Sequence, residues 1–226
     1  MCPPRARPNC CSCCATAWAA TPASWPPLPA ALRAQYPQAA IVSLNGPEPC
    51  DDPQSGDGWQ WFSMLDRSPE RIASEVARVL PAFIERVRGW GGHFGLEWPY
   101  VALVGYSQGA IMSLEAVQAE AQLAGRVVAL SGAYAWLPQE APRDVCVHLL
   151  HGMQDPVLPY RPIVSAAQAL VNLGADVTAD VMPGIGHELS PKLIDKAMEQ
   201  LRTFVPGKMW REAVLQAAEQ DRQQRH

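Results

Sequence analysis

The sequence predicts an α/β protein whose mostly parallel central sheet is covered by helices on both faces, and three observations carry that prediction. Short apolar runs alternate with stretches of helical periodicity along most of the chain. One such run, Tyr100-Val101-Ala102-Leu103-Val104, passes into a helix-like run through Gly105-Tyr106-Ser107-Gln108-Gly109, a serine between two glycines. An acid and a histidine, Asp155 and His187, each fall just past the end of a predicted strand. Ligands of parallel sheets sit at that end of the strands.

Taken in order, residues after the proline-rich stretch Pro22 to Pro29 begin with a short helix over Leu28-Pro29-Ala30-Ala31-Leu32-Arg33-Ala34. A strand follows over Ala39 to Leu44, closed by Asn45-Gly46-Pro47. Glu48 to Gly58 reads as a polar loop leading into the aromatic patch Trp59-Gln60-Trp61-Phe62. Such a cluster is more often core, but its place after a long loop favours a pocket wall. Ser68-Pro69 opens a helix whose apolar face runs from Ile72 to Val87, with a kink expected at Pro81 and a stop at Gly89-Trp90-Gly91-Gly92. After the serine-bearing turn come a helix, a strand over Val127 to Leu130 and a strand over Val145 to Leu150. A helix stopping at Gly174, a strand over Val177 to Met182 and a helix capped by Ser190-Pro191 complete the alternation. The last helix, around Trp210, Val214 and Leu215, is expected to fade into a solvated tail from Gln216 to His226.

With 226 residues, 48% hydrophobic and 18% charged, the chain suits one domain with a sizeable core. We divide it into an aberrant N-terminal segment, 1–20, a main domain, 21–206, and a C-terminal helix and tail, 207–226. A formal charge of −4 and a pI near 5.7 supply no basic field, which argues against a nucleic-acid partner. No apolar run approaches the ~18–20 residues that span a bilayer. Five of the seven cysteines crowd into the first fourteen residues, with no histidine or second pair at zinc-site spacing, so no metal is expected. Arg5 and Arg7 before a small-residue stretch imitate a secretion signal, but Pro8, Asn9 and Ser12 interrupt it, and the cytoplasm is the expected compartment. A two-fold homodimer is the generic expectation for assembly.

The chemistry centres on Ser107. In a strand–turn–helix context a G-x-S-x-G serine occupies a strained turn, and the helix behind it aims free N–H groups at a developing oxyanion. A serine needs a base and the base needs an orienting acid. A lone Asp before proline is usually a turn former, and a lone histidine usually a surface group. Jointly, the order Ser107, Asp155, His187 past three strand ends is the order of an α/β-hydrolase triad. Of the other histidines, His148 lies within a strand, His93 and His226 fall in a loop and a tail, and His151 alone is placed to touch the site.

The segments Gly-Tyr-Ser-Gln-Gly-Ala at 105–110, His-Gly-Met-Gln-Asp-Pro-Val at 151–157 and Gly-Ile-Gly-His at 184–187 together resemble the phospholipase/carboxylesterase family of small α/β-hydrolases. That family includes acyl-protein thioesterases and bacterial carboxylesterases, and Gln60-Trp61-Phe62-Ser63 is similar to the bacterial esterase branch. The resemblance covers roughly Thr21 to Pro206. It implies an α/β-hydrolase fold without a large cap domain and a cofactor-free serine hydrolase acting on small-molecule carboxylic esters or thioesters. It further implies Ser107, Asp155 and His187 as triad, with one oxyanion N–H from Gln108. Trp59, Trp61, Phe62, Tyr106 and Leu158 are the candidates for the acyl pocket.

The N-terminus departs from the family pattern. Members carry a leucine-rich central strand ending in His-Gly-x-Gly, whose loop supplies the second oxyanion donor; here Pro8-Asn9-Cys10-Cys11-Ser12-Cys13-Cys14-Ala15-Thr16-Ala17-Trp18-Ala19 stands instead. Joining each codon's third base to the next codon's first two permits Leu-Leu-Leu-Leu-Leu-Arg-His-Gly-Val-Gly over this stretch. Asn9/Cys10, Cys10/Cys11 and Cys13/Cys14 give only leucine, and Trp18/Ala19 only glycine. The expectation is that residues up to about Ala20 are out of frame. Read as printed, the central strand and the donor near Trp18 and Ala19 are compromised. A catalytically impaired binding protein on the same fold is then the rival of another class, and a thioesterase or lysophospholipase the rival among enzymes.

Overall fold

The computed structural model describes residues 10–15, 27–52 and 58–224. Its centre is a six-stranded sheet in the order β2-β1-β5-β6-β7-β8, every neighbouring pair parallel. The strands are β1 (Cys10–Ala15), β2 (Ala39–Leu44), β5 (Val101–Tyr106), β6 (Arg126–Leu130), β7 (Cys146–Gly152) and β8 (Asp176–Met182). The helices are α1 (Pro27–Gln35), α2 (Pro69–Phe94), α3 (Gln108–Ala119), α4 (Arg161–Asn172), α5 (Pro191–Thr203) and α6 (Gly207–Gln224). This is the α/β-hydrolase fold. Among the described residues the connections are single helices or loops, with no inserted cap domain.

Inner strands of a parallel sheet are buried on both faces, which is why they read as continuous apolar runs. Val101, Leu103, Val127, Ala129, Val147 and Leu149 face one cluster with α2, α3 and α4. Val104, Val128, Leu130 and Leu150 face the other, closed by Leu28 and Leu32 of α1 and Leu193, Ile194 and Ala197 of α5. Two layers of helix therefore clamp the strands whose carboxyl ends carry the polar residues.

Several expectations are corrected. Of the N-terminal segment, Cys10–Ala15 forms a strand: β1 lies between β2 and β5, with Cys13 paired to Val42 and to Leu103. Backbone hydrogen bonding to two neighbours decides this, because sheet context outweighs the weak strand preference of any one residue. Helix α2 runs through Pro81 and past Gly89–Gly92, so His93 is helical rather than in a loop. Its stop is Gly95, at φ 64°, whose N–H reaches the Gly91 and Gly92 carbonyls. The loop after Leu44 contains a short antiparallel pair, β3 (Glu48–Pro49) with β4 (Trp59–Gln60). Helix α6 continues to Gln224 where a solvated tail is expected.

Behind the serine turn, Glu115 of α3 is buried and accepts the Ala135 and Trp136 amides at 2.7 and 3.3 Å, tying the segment after β6 to the helix. Burial pushes its carboxyl up to about 7 from 4.5, against the pull of those two amides. The folded chain therefore holds a proton that the unfolded chain releases between these values. Stability from this group is fully present below pH 4.5 and is lost as the pH rises toward 7. Glu115→Gln keeps an acceptor for both amides and buries no charge. We expect it to stabilise the fold by about 1–3 kcal/mol at pH 8 and not at pH 4, read by urea unfolding at both values.

Candidate active site

Ser107 sits between β5 and α3 at φ 53° and ψ −120°, a conformation that strains any L-residue and lifts its hydroxyl above the strand end. Two close approaches make the turn. A Cβ at Gly105 would lie 2.3 Å from the Gly109 carbonyl oxygen, so no larger residue fits at position 105, two before the serine. A Cβ at Gly152 would lie 2.3 Å from the Ile185 carbonyl oxygen, so the loop bearing His187 can lie against the end of β7. Both contacts are backbone to backbone and cannot be relieved by a side-chain rotation.

The structure brings the three predicted residues into one hydrogen-bonded chain. His187 Nδ1 donates to Asp155 Oδ2 at 2.7 Å, which leaves Nε2 to accept the Ser107 hydroxyl at 2.9 Å. The other Asp155 oxygen, Oδ1, accepts the Val157 and Leu158 amides at 2.8 and 2.9 Å. Burial works against the Asp155 charge. Hydrogen bonding from His151, His187 and the Leu158 amide outweighs it and holds the carboxyl well below the usual carboxylate range. An ionised acid, a neutral imidazole of fixed tautomer and a serine hydroxyl on its free nitrogen can together transfer the serine proton as the oxygen attacks a carbonyl.

Gln108 is the first residue of α3, so its N–H has no acceptor within the helix and is free to meet an oxyanion. Its side chain does something the sequence does not announce. Fully buried, it donates Nε2 to the Phe62 carbonyl at 2.7 Å and accepts the Trp61 amide at 2.8 Å, stapling the aromatic segment to the serine turn. Gln108→Ala removes this partner from both buried backbone groups. We expect it to cost about 2–4 kcal/mol in chemical denaturation while sparing the backbone donor.

The pocket candidates divide. Trp61 and Phe62 belong to the core rather than to an open wall, because the Trp61 ring packs edge-on against Phe83, 5.0 Å between centroids, and Gln108 holds their backbone inward. Leu158 is likewise buried, and its contribution here is the amide that holds Asp155. Trp59 is 42% exposed. The Tyr106 ring lies 5.2 Å from that of His187; burial, then the Asp155 and Glu188 charges, keep its phenol protonated. Trp18 and Ala19 lie outside the described residues; β1 ends at Ala15, paired with Gly105.

His148 is buried away from this chain, bonded to Thr178 and stacked edge-on against Phe204. His151, by contrast, lies against Asp155; its place in the His-Gly-Met-Gln-Asp segment is the signal that points to it. Among the described residues no group of acidic, histidine or cysteine side chains is arranged to hold a metal, and no helix is long and apolar enough to cross a membrane.

Comparison with known proteins places the chain in a family. Esterase YpfH of Escherichia coli is 39% identical over 179 residues, which is 79% of this chain and 76% of that protein. Acyl-protein thioesterase 1 of Gibberella zeae is 33% identical over 119 residues, about half of each chain. Among solved structures, esterase PE8 superposes with a TM-score of 0.78 at 23% identity, over 87% of this chain and 93% of its own. The family model described as Phospholipase/Carboxylesterase matches residues 21–205. With a serine turn after β5, an acid after β7 and a histidine after β8 of an α/β-hydrolase sheet, the chain belongs to the phospholipase/carboxylesterase family.

Proposed function

We propose that the protein is a serine hydrolase that cleaves carboxylic esters of small or medium acyl chains through an acyl-enzyme. The observation that carries this reading is the unbroken chain from Asp155 through His187 to Ser107. Ser107 attacks the ester carbonyl as His187 takes its proton, and Asp155 stabilises the imidazolium that forms. The Gln108 N–H binds the tetrahedral oxyanion, and a second donor near Trp18 and Ala19 would complete the hole. His187 then returns the proton to the departing alkoxide and activates water against the acyl-enzyme. Trp59 and Tyr106 are the side chains we assign to contact with the substrate. The reading takes a small-molecule ester as substrate, no cofactor, the cytoplasm as compartment and a two-fold homodimer as the generic assembly.

The test is turnover of p-nitrophenyl esters from acetate to decanoate, beside the same acyl groups as thioesters. Faster turnover of the short and medium oxoesters supports the carboxylesterase assignment. The likeness to an acyl-protein thioesterase favours a second reading, thioester cleavage, and preferential thioester turnover would establish it in place of the first.

A further inference from the structure

His151 is fully buried at the end of β7, beside the acid of the site. Its Nε2 lies 2.8 Å from the Leu158 carbonyl oxygen, which can only accept, so this nitrogen carries the proton. The same N–H lies 3.3 Å from Asp155 Oδ2, the oxygen that also takes the hydrogen bond from His187. Leu158 in turn donates its own amide to Asp155 Oδ1. One imidazole thus reaches both oxygens of the carboxylate, Oδ2 directly and Oδ1 by way of the Leu158 backbone. The Nδ1 atom is buried without a hydrogen-bond partner among the described residues. An aliphatic side chain would fill this volume without burying an unpaired nitrogen, and what it would lack is the donor.

We propose that His151 is a positioning residue for the Asp155–His187–Ser107 chain: its single N–H, shared between Leu158 and Asp155, closes the turn that carries the carboxylate and draws off part of the charge facing His187. The inference rests on the reading of that chain as the catalytic machinery. Its consequence has a definite sign. Without the donor, Asp155 presents its charge more fully to His187, the imidazolium is favoured, and His187 titrates at a higher pH, by about half a unit to one unit. Were His151 only a space-filling group, its loss would leave His187 unchanged or let Asp155 drift away and lower the titration. The other groups around His187 are the Tyr106 phenol at the end of β5, the Ser107 hydroxyl before α3 and the Glu188 carboxylate beside it in the chain. All three are common to every variant below.

The experiment follows the His187 imidazole by NMR against pH, assigned with a His187→Gln control, in four proteins: the unaltered chain, His151→Leu, His151→Asn and His151→Gln. Leu carries no donor and the shorter Asn amide ends at the Nδ1 position, so both leave the Nε2 position without an N–H, whereas the Gln amide reaches that position and retains it. We expect His187 to titrate higher in the Leu and Asn variants and near the unaltered value in Gln. The acid limb of kcat/KM for p-nitrophenyl butyrate should move with it, and KM should stay the same. Two variants without an N–H at the Nε2 position, of different polarity, keep the test available if one fails to fold. An unchanged or lowered His187 titration in the Leu and Asn variants overturns the proposal, as does an equal rise in His151→Gln. The titration needs no turnover: absence of Ser107-dependent hydrolysis would overturn the esterase reading, while the His187 shift would still decide the role of His151.

Discussion

Ser107→Ala is expected to lower kcat for p-nitrophenyl butyrate by about 10⁴–10⁶-fold with KM and folding stability little changed. The substitution removes one oxygen whose described hydrogen-bond partner is His187 Nε2, so no other buried group loses a partner. The backbone at φ 53° strains alanine and serine alike, so the turn survives. What disappears is the covalent step, and the oxyanion donors and binding surface leave only a small residual acceleration. His187→Ala should cost a similar factor, and the double variant no more than either alone, because the two residues act as one unit. A fluorophosphonate probe should label the unaltered chain at Ser107 and leave the Ser107→Ala protein unlabelled. Residual turnover above a few per cent in a folded Ser107→Ala protein would remove Ser107 from the chemistry.

The second large effect concerns residues 10–19. Replacing them with Leu-Leu-Leu-Leu-Leu-Arg-His-Gly-Val-Gly, the reading that the shifted frame permits, is expected to raise kcat by about 10²–10³-fold, the worth of one oxyanion-hole donor. The gain should appear in kcat rather than KM, since the donor acts where charge develops. Strand β1 leads toward the site, its last residue Ala15 paired with Gly105, two residues before Ser107. Equal rates in the two chains would mean that the printed sequence already supplies the donor, and the shifted-frame reading would fall. If neither chain turns over any ester while both fold, the α/β-hydrolase scaffold serves binding alone. Resequencing of the underlying gene tests the same point independently.

The alternation of strands and helices, the serine turn and the order of acid and base were all legible in the chain. Each depends on local rules: an apolar run bounded by glycine and proline, a 3.6-residue period, and polar residues one step past a strand end. Long-range geometry was not legible in the same way. His187 meets Ser107 across 80 residues and Asp155 across 32, and only the parallel stacking of β5, β6, β7 and β8 brings their ends together. Cys10–Ala15 became an inner strand because two neighbours offered it backbone partners, whatever its own residue preferences. Trp61 and Phe62 went to the core because the Gln108 amide satisfies their backbone from a residue 46 and 47 positions away. His151 gained its place beside Asp155 from the fold of a single turn. Periodicity and motif spacing are properties of neighbours in the chain and can be read from it. The satisfaction of buried hydrogen-bonding groups depends on which distant segment arrives beside them, and that is settled by packing in three dimensions.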